Sequence, residues 1–268
     1  MSGGAGRVRI EARGVDVGYG DRVVLGGVDL EVRQGELLVI AGANGVGKTT
    51  LLKALSGRVP PLRGEILIDG RILAALSAAE RGRRVAFVGQ GAQAVWPFTV
   101  RELVTLGRFP HRGWFASERR SDREAVAAAI RRAGLDGFAE RSVTELSGGE
   151  LQRAMIARAL AQEGEVLLLD EPVSHLDEKH RVMVMDLIRS LVSSGLAAVA
   201  SLHDLNLASL YADRIALFSD GGLAALGTPR EVLREDILRA AFDANLRVGE
   251  HPLAAGSPLV YHPAPPKR

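Results

Sequence analysis

Eight residues, Gly42-Ala43-Asn44-Gly45-Val46-Gly47-Lys48-Thr49, constrain this chain more than any other stretch. They fit G-x-x-x-x-G-K-[ST], a glycine-rich loop that wraps polyphosphate. The pattern has meaning only between a strand and a helix, and both flanks are present. Leu37-Leu38-Val39-Ile40-Ala41 is a short apolar run suited to a buried strand. Thr50-Leu51-Leu52-Lys53-Ala54-Leu55 continues as a helix that Gly57 can end. In that setting successive backbone N–H groups turn inward and the helix N-terminus adds positive potential, so residues Gly42 to Thr50 form a candidate phosphate cradle. Lys48 is placed to reach the outer phosphates, and the Thr49 hydroxyl to complete the shell of a Mg²⁺ ion. The expected ligand is a nucleotide.

The 268 residues suffice for one large domain or two lobes, with no difficulty in burying a core. Basic residues concentrate only at Arg81-Gly82-Arg83-Arg84 and Arg119-Arg120, and aromatics are 4% of the chain. A base-stacking surface is therefore not expected, nor is nucleic acid as a partner. Absence of cysteine excludes disulfides and thiolate metal sites, and the six histidines lack zinc-ligand spacing. The stretch from Met1 to Arg7 has no apolar signal-peptide core, and no apolar run approaches the ~20 residues that span a bilayer. A soluble chain that stays where it is made is expected.

Val8 to Val32 reads as strands, with Val28-Asp29-Leu30-Glu31-Val32 alternating as a half-exposed antiparallel strand does. Gly64 to Ile68 is another, closed by Asp69-Gly70, and Val85 to Val88 a buried one that leads to Gln90. From Ala92 the pattern turns helical. Thr99 to Phe109 carries Val100, Leu103, Val104 and Leu106 at helical spacing, and Ser121-Asp122-Arg123-Glu124 reads as a capping box opening a helix that Gly134 ends. Another helix is expected from near Gly149 to Gln162. The final third alternates strand and helix: Val166 to Asp170, a helix burying Val184, Leu187, Ile188 and Leu191, then strands at Ala197–Leu202 and Arg214–Phe218. From about Asn245 the proline- and glycine-rich tail has no clear periodicity. A single domain over 8–243 is expected, with a helical insertion at about 92–162 and an extension over 244–268.

Two further stretches carry chemistry. Asp170 and Glu171 close the apolar run that begins at Val166, so Asp170 can hold a magnesium-bound water while Glu171 orients or deprotonates an attacking one. Structurally, an acidic pair can also simply cap a strand end. Leu146-Ser147-Gly148-Gly149-Glu150-Leu151-Gln152-Arg153 places a serine and two glycines at a helix start, a second anion-binding nest or a plain N-cap. This stretch resembles the signature of the ATP-binding-cassette (ABC) family. Glu150 precedes Asp170 by 20 residues and Lys48 precedes it by 122, in that family's order.

The resemblance covers about residues 8 to 240 and implies a P-loop NTPase core with an antiparallel β subdomain and an inserted helical subdomain. Tyr19 matches the aromatic that stacks on adenine. Gln90 matches the glutamine that senses magnesium and the membrane partner, and His203 the switch histidine at the γ-phosphate. Ser174-His175-Leu176-Asp177 is similar to the dimer-contact loop, with Asp177 the key position. Ala43 departs from the proline many members carry. The resemblance further implies a head-to-tail dimer closed by two ATP molecules. In it Lys48, Thr49, Gln90, Asp170, Glu171 and His203 of one chain face Ser147, Gly148 and Gly149 of the other, and Glu150 of that signature is counted among the nucleotide-binding residues.

Three classes of such ATPase compete: an importer subunit, a non-transport cassette ATPase, and an exporter subunit with a separate permease. One cassette without membrane helices or coiled-coil insertion fits the importer best. Leu106-Gly107-Arg108-Phe109-Pro110-His111 and His203-Asp204-Leu205-Asn206-Leu207-Ala208 look like importers of haem, iron–siderophore and cobalamin. Trp96-Pro97-Phe98-Thr99-Val100 and Tyr211-Ala212-Asp213-Arg214 lean towards haem. The implied partners are a second copy, a multi-span permease and, indirectly, a substrate-binding protein. The implied location is the cytoplasmic face of the inner membrane. Trp96, Phe98 and Trp114 either line a groove for the permease or fill the small lobe's core.

Overall fold

The computed structural model describes residues 6–91, 97–112, 117–220 and 222–263. β1 (Val8–Tyr19) and β2 (Arg22–Arg33) form a long antiparallel hairpin. β3 (Leu37–Gly42), buried throughout, leads through the glycine loop into α1 (Lys48–Leu55). β4 (Arg63–Ile68) and β5 (Arg71–Ile72) turn about Asp69 and Gly70, both at positive φ. After α2 (Ala78–Gly82) and β6 (Val85–Val88) come α3 (Val100–Thr105), α4 (Arg120–Arg132) and α5 (Gly148–Leu160). Strand and helix then alternate through β7 (Val166–Asp170), α6 (Glu178–Ser193), β8 (Ala197–Ser201), α7 (Leu205–Tyr211) and β9 (Arg214–Ser219). The chain finishes with β10 (Gly222–Gly227), α8 (Pro229–Val232), α9 (Glu235–Phe242) and a hairpin of β11 (Arg247–Glu250) and β12 (Pro258–Tyr261).

The six-stranded sheet runs in the order β10-β9-β3-β8-β7-β6, parallel except for β10. Its uninterrupted apolar strands are explained by cover on both faces, since successive side chains point to opposite sides. Leu38, Ile40, Leu168 and Val199 pack towards α1 and the four-stranded sheet β2-β1-β4-β5. Their neighbours Leu37, Val39, Leu167 and Ala198 pack with Ile156 of α5 and Val184 of α6. Each fully buried leucine, isoleucine or valine stabilises the fold by about 1.5–3 kcal/mol before the entropy of ordering it is counted. A third core holds α3, α4 and α5 together through Val100, Val104, Val126, Ile130 and Ala157. α5 belongs to both layers: Ala154 and Ala157 face the insertion, Ile156 and Ala159 the sheet.

Four local expectations change. α4 begins one residue before Ser121, and Asp122 rather than Glu124 closes its first turn by accepting the Arg119 N–H at 3.0 Å. Asp122 is drawn there because the buried Arg108 guanidinium donates to it at 3.0 Å. The helix from Val100 turns 3₁₀ over Leu106–His111, where Pro110 removes a donor. Met185 rather than Leu187 is fully buried on α6. The tail after Asn245, expected to be irregular, contains a hairpin whose two four-residue strands are too short to show a period. Trp96 and Trp114 lie outside the described residues, and Phe98 is 42% exposed.

Candidate functional site

Because β3, β8, β7 and β6 are parallel neighbours, their C-terminal ends share one edge of the sheet, where ligands of such sheets bind. The loop after β3 is shaped by its glycines. Gly42 has φ 148°, and a Cβ there would stand 2.4 Å from the Phe218 carbonyl oxygen. Gly47 has φ 113°, and its Cβ would meet Val24 and Leu25 at 2.8 Å. Only glycine fits both positions. Lys48 is 6% exposed and its Nζ donates to the carbonyls of Gly42 (2.8 Å) and Ala43 (2.9 Å). Burial pushes the Lys48 ammonium below the ordinary lysine range, and Glu171 and Asp170 only partly restore it. A polyanion would supply the missing charge.

The end of β7 supplies the acidic pair. Asp170, 3% exposed, accepts from the Thr49 hydroxyl at 3.1 Å and from the Ser201 hydroxyl at 2.8 Å, both through Oδ1. Glu171 sits at φ 49°, a left-handed conformation costly for a side-chain-bearing residue. Its N–H donates to Ser201 Oγ at 2.8 Å, so a single hydroxyl ties the two acidic residues to β8. Gln90 donates to Glu171 Oε2 at 2.6 Å, and His203 Nε2 lies against Glu171 Oε1. The carboxylate is thus held between a residue after β6 and a residue after β8.

Tyr19, Ala43 through Thr50, Gln90, Glu171 and His203 line one open cleft of about 1170 Å³. Tyr19 is 56% exposed at its mouth, with its hydroxyl 3.5 Å from that of Thr50. Gly42 and Asp170 lie beneath the cleft wall. Ser147, Gly148, Gly149 and Glu150, expected to serve the nucleotide of a second chain, and Asp177 of the expected dimer-contact loop do not line it. Ser147 is the N-cap of α5 and accepts from the Glu150 N–H at 3.3 Å, while Glu150 accepts the Ser147 N–H at 2.8 Å. The Ser147 amide, helped by the Ser147 hydroxyl and by nearby Arg141 and Arg153, outweighs desolvation and holds the Glu150 carboxyl below its usual range. Asp177 caps α6 and accepts from His180 through its N–H (2.8 Å) and Nδ1 (2.7 Å). A Cβ on Gly149 would stand 2.3 Å from the His180 ring, so the two helix starts are packed together, apart from the cleft.

Sequence reasoning missed Ser201. The available signal was a small polar residue ending the apolar run Ala197–Ala200, one residue ahead of Leu202-His203. It also missed Arg22, Arg181 and Asp220, which line the cleft's outer rim.

A family profile described as ABC transporter matches residues 25–174, more than half of the chain. The chain belongs to the ABC transporter family. This ABC protein is 43% identical over 261 residues to the hemin import ATP-binding protein of Streptomyces coelicolor, covering 97% of this chain and 92% of that one. It is likewise 43% identical over 244 residues to the cobalamin import ATP-binding protein of Halobacterium salinarum, covering 91% of this chain but 61% of that longer protein. Among solved structures, a metal-chelate type ABC transporter in an inward-facing conformation superposes with a TM-score of 0.80 at 26% identity, over 95% of this chain and 96% of that one. ATP binding follows from family membership, and the cleft has the parts for it. No helix among the described residues is long and apolar enough to cross a membrane.

Proposed function

We propose that this chain hydrolyses ATP to energise a membrane importer of metal chelates, with haem the first candidate cargo and iron–siderophore and cobalamin the others. The observation that carries the reading is the meeting of Lys48, the Thr49–Asp170 pair and Glu171, flanked by Gln90 and His203, at one edge of a parallel sheet. Relatives named as import ATP-binding proteins, matched over nearly their whole length in the Streptomyces case, support the transport role.

In this reading the loop amides and Lys48 hold the β- and γ-phosphates while Tyr19 stacks on the base. Glu171 orients the attacking water and accepts its proton; Gln90 and His203 fix the carboxylate, and His203 can pass to the γ-phosphate. The Thr49 hydroxyl and Asp170 carboxylate, two hard oxygen donors 3.1 Å apart, suit Mg²⁺, which takes one or two protein oxygens beside phosphate and water. Magnesium, when bound there, supplies charge neutralisation at the phosphate oxygens.

Separation of Ser147–Glu150 from the cleft of the same chain favours their use by a second copy. Head-to-tail pairing would bring the Gly148 and Gly149 amides at the start of α5 to the partner's nucleotide, so ATP would favour the closed dimer. Exposed Phe98, Leu106 and Phe109 on the insertion would face the permease at the cytoplasmic side of the inner membrane. A substrate-binding protein would complete the system.

The test is capture with tagged Glu171→Gln in the native host with ATP, after gentle solubilisation of membranes. Recovery of a multi-span permease is expected, and its binding protein can then be titrated with haem, siderophores and cobalamin. Recovery of soluble partners alone would refute the importer reading in favour of a non-transport cassette ATPase. Recovery of a permease without any binding protein would favour an exporter.

A further inference from the structure

The C-terminal hairpin reaches the site through one asparagine. In the β11–β12 pair Val248 faces Val260, and the polar backbone groups of both turn outward. Val260 donates its N–H to Asn206 Oδ1 at 2.7 Å and accepts from Asn206 Nδ2 at 3.0 Å. On the other edge the Val248 N–H donates to Glu235 Oε1 at 3.2 Å, and Arg247 donates to Glu235 Oε2 at 2.9 Å. Asn206 therefore pairs with one strand edge as a neighbouring strand would, and Glu235 with the other. A lone two-stranded hairpin is marginal in water, so these side-chain ties decide where it sits.

Asn206 stands in the first turn of α7. Its own N–H and that of Leu207 donate to Asp204 Oδ1 at 2.9 and 3.0 Å. His203, immediately before this cap, lies against Glu171. α7 is short and buries fully only Ala208 and Ser209. Its far end is tied by the Tyr211 hydroxyl, which donates to Asp186 at 2.8 Å. Leu202, just before His203, is held to β3 by its N–H bond to the Ile40 carbonyl at 3.1 Å, whereas the first turn of α7 itself is bonded to a distant segment, among the described residues, through the Asn206–Val260 pair.

The geometry points to Asn206 as a positioning residue for ATP hydrolysis. Its paired bonds to Val260 let the C-terminal hairpin fix the first turn of α7, and with it the approach of His203 to Glu171. The inference rests on the ATPase reading above and adds the tail to the machinery.

Four full-length variants test it: Asn206→Ala, Val260→Pro, their combination, and Leu253→Ser in the exposed hairpin turn as control. Val260→Pro deletes the N–H that Asn206 receives and leaves α7 untouched in sequence, so it keeps the test alive if Asn206→Ala folds poorly. Misplacing a catalytic group costs up to about a hundredfold, so kcat should fall about ten- to a hundredfold in each single variant, with the KM for ATP unchanged. The double variant should lose no more than the worse single one, because both remove the same tie. Amides of residues 203–208 should exchange faster in all three, while Leu253→Ser behaves as wild type. Wild-type kcat in Asn206→Ala and Val260→Pro, or losses that multiply in the double variant, would overturn the assignment. If the wild-type chain itself turns over no ATP, the ATPase reading falls instead. Exchange then decides the tie alone, and unchanged protection at 203–208 in both single variants would refute it.

Discussion

Replacing Ser201 by alanine removes one oxygen atom and should damage both stability and turnover. Ser201 is fully buried; its hydroxyl donates to Asp170 and accepts from the Glu171 N–H, each at 2.8 Å. An orphaned buried N–H costs about 1–3 kcal/mol, and a hydrogen bond to a charged group contributes about 1.5–3 kcal/mol. Because one hydroxyl makes both bonds the losses overlap, and a net cost of about 2–4 kcal/mol follows. For a chain of this size each kcal/mol lowers the unfolding midpoint by about 2–4 °C, so a drop of roughly 5–15 °C is expected. The Ser201 bond also opposes the cost of the left-handed Glu171 backbone, so its loss frees that carboxylate to leave the Gln90–His203 bracket. Turnover should then fall about ten- to a hundredfold, with the KM for ATP little changed. Thermal unfolding followed by circular dichroism and steady-state phosphate release measure the two effects. A midpoint and a kcat both equal to wild type would refute the claim that this hydroxyl holds the acidic pair.

Lys48→Met should abolish turnover without lowering the stability of the nucleotide-free chain, since burial already disfavours the ammonium. The native Lys48 pKa lies below the unfolded one, so the unfolded state binds more protons between the two values. Wild-type stability therefore gains a rising component with pH across that window, which denaturant titrations of Lys48→Met should lack. Gly149→Val forces a Cβ into the His180 ring and should prevent Glu171→Gln from forming an ATP-dependent dimer on size exclusion, while a fluorescent ATP analogue still binds the single chain. Arg108→Met leaves the Asp122 carboxylate buried without its guanidinium and should cost about 3–5 kcal/mol by urea unfolding. Burial alone would raise the Asp122 carboxyl, but the Arg119 amide and Arg108 outweigh it and hold it below its usual range. That stabilisation is complete above the ordinary carboxylate value of about 3.9 and fades as pH falls through the native one, so Arg108→Met should unfold at higher pH on the acid side.

Much of the cleft was legible because its parts are local. The loop Gly42–Thr49 and the pair Asp170-Glu171 each announce themselves through residue type and flanking strand, and a parallel sheet then brings their ends to one edge. The roles assigned to Gln90 and His203 rest on family resemblance, since a single polar residue after a strand carries no local signal. Ser201 escaped because its work depends on register: β7 and β8 pair so that Asp170 faces Ser201, which no pattern along the chain states. The start of α4 differs because a buried arginine 14 residues earlier draws Asp122 into the first turn in place of the equally plausible Ser121–Glu124 box. The closing hairpin escaped because its placement rests on the Asn206 and Glu235 side chains, not on its own propensity.

The order of the large sheet also sets out a scale of distances. β3, β8, β7 and β6 lie side by side, so Lys48, His203, the acidic pair and Gln90 project from four successive strand ends across three spacings, about 14 Å in all. Lys48 lies well inside the array, after a strand paired on both sides that resists displacement. Gln90 stands at the outermost position, just after β6, which among the described residues pairs with a strand on one side only, where the chain departs for the helical insertion. A tilt of that insertion can therefore draw the bracket away from Glu171 while the other three strand ends keep their places. The site is thus divided along its width into a firmly held interior end and a more compliant edge.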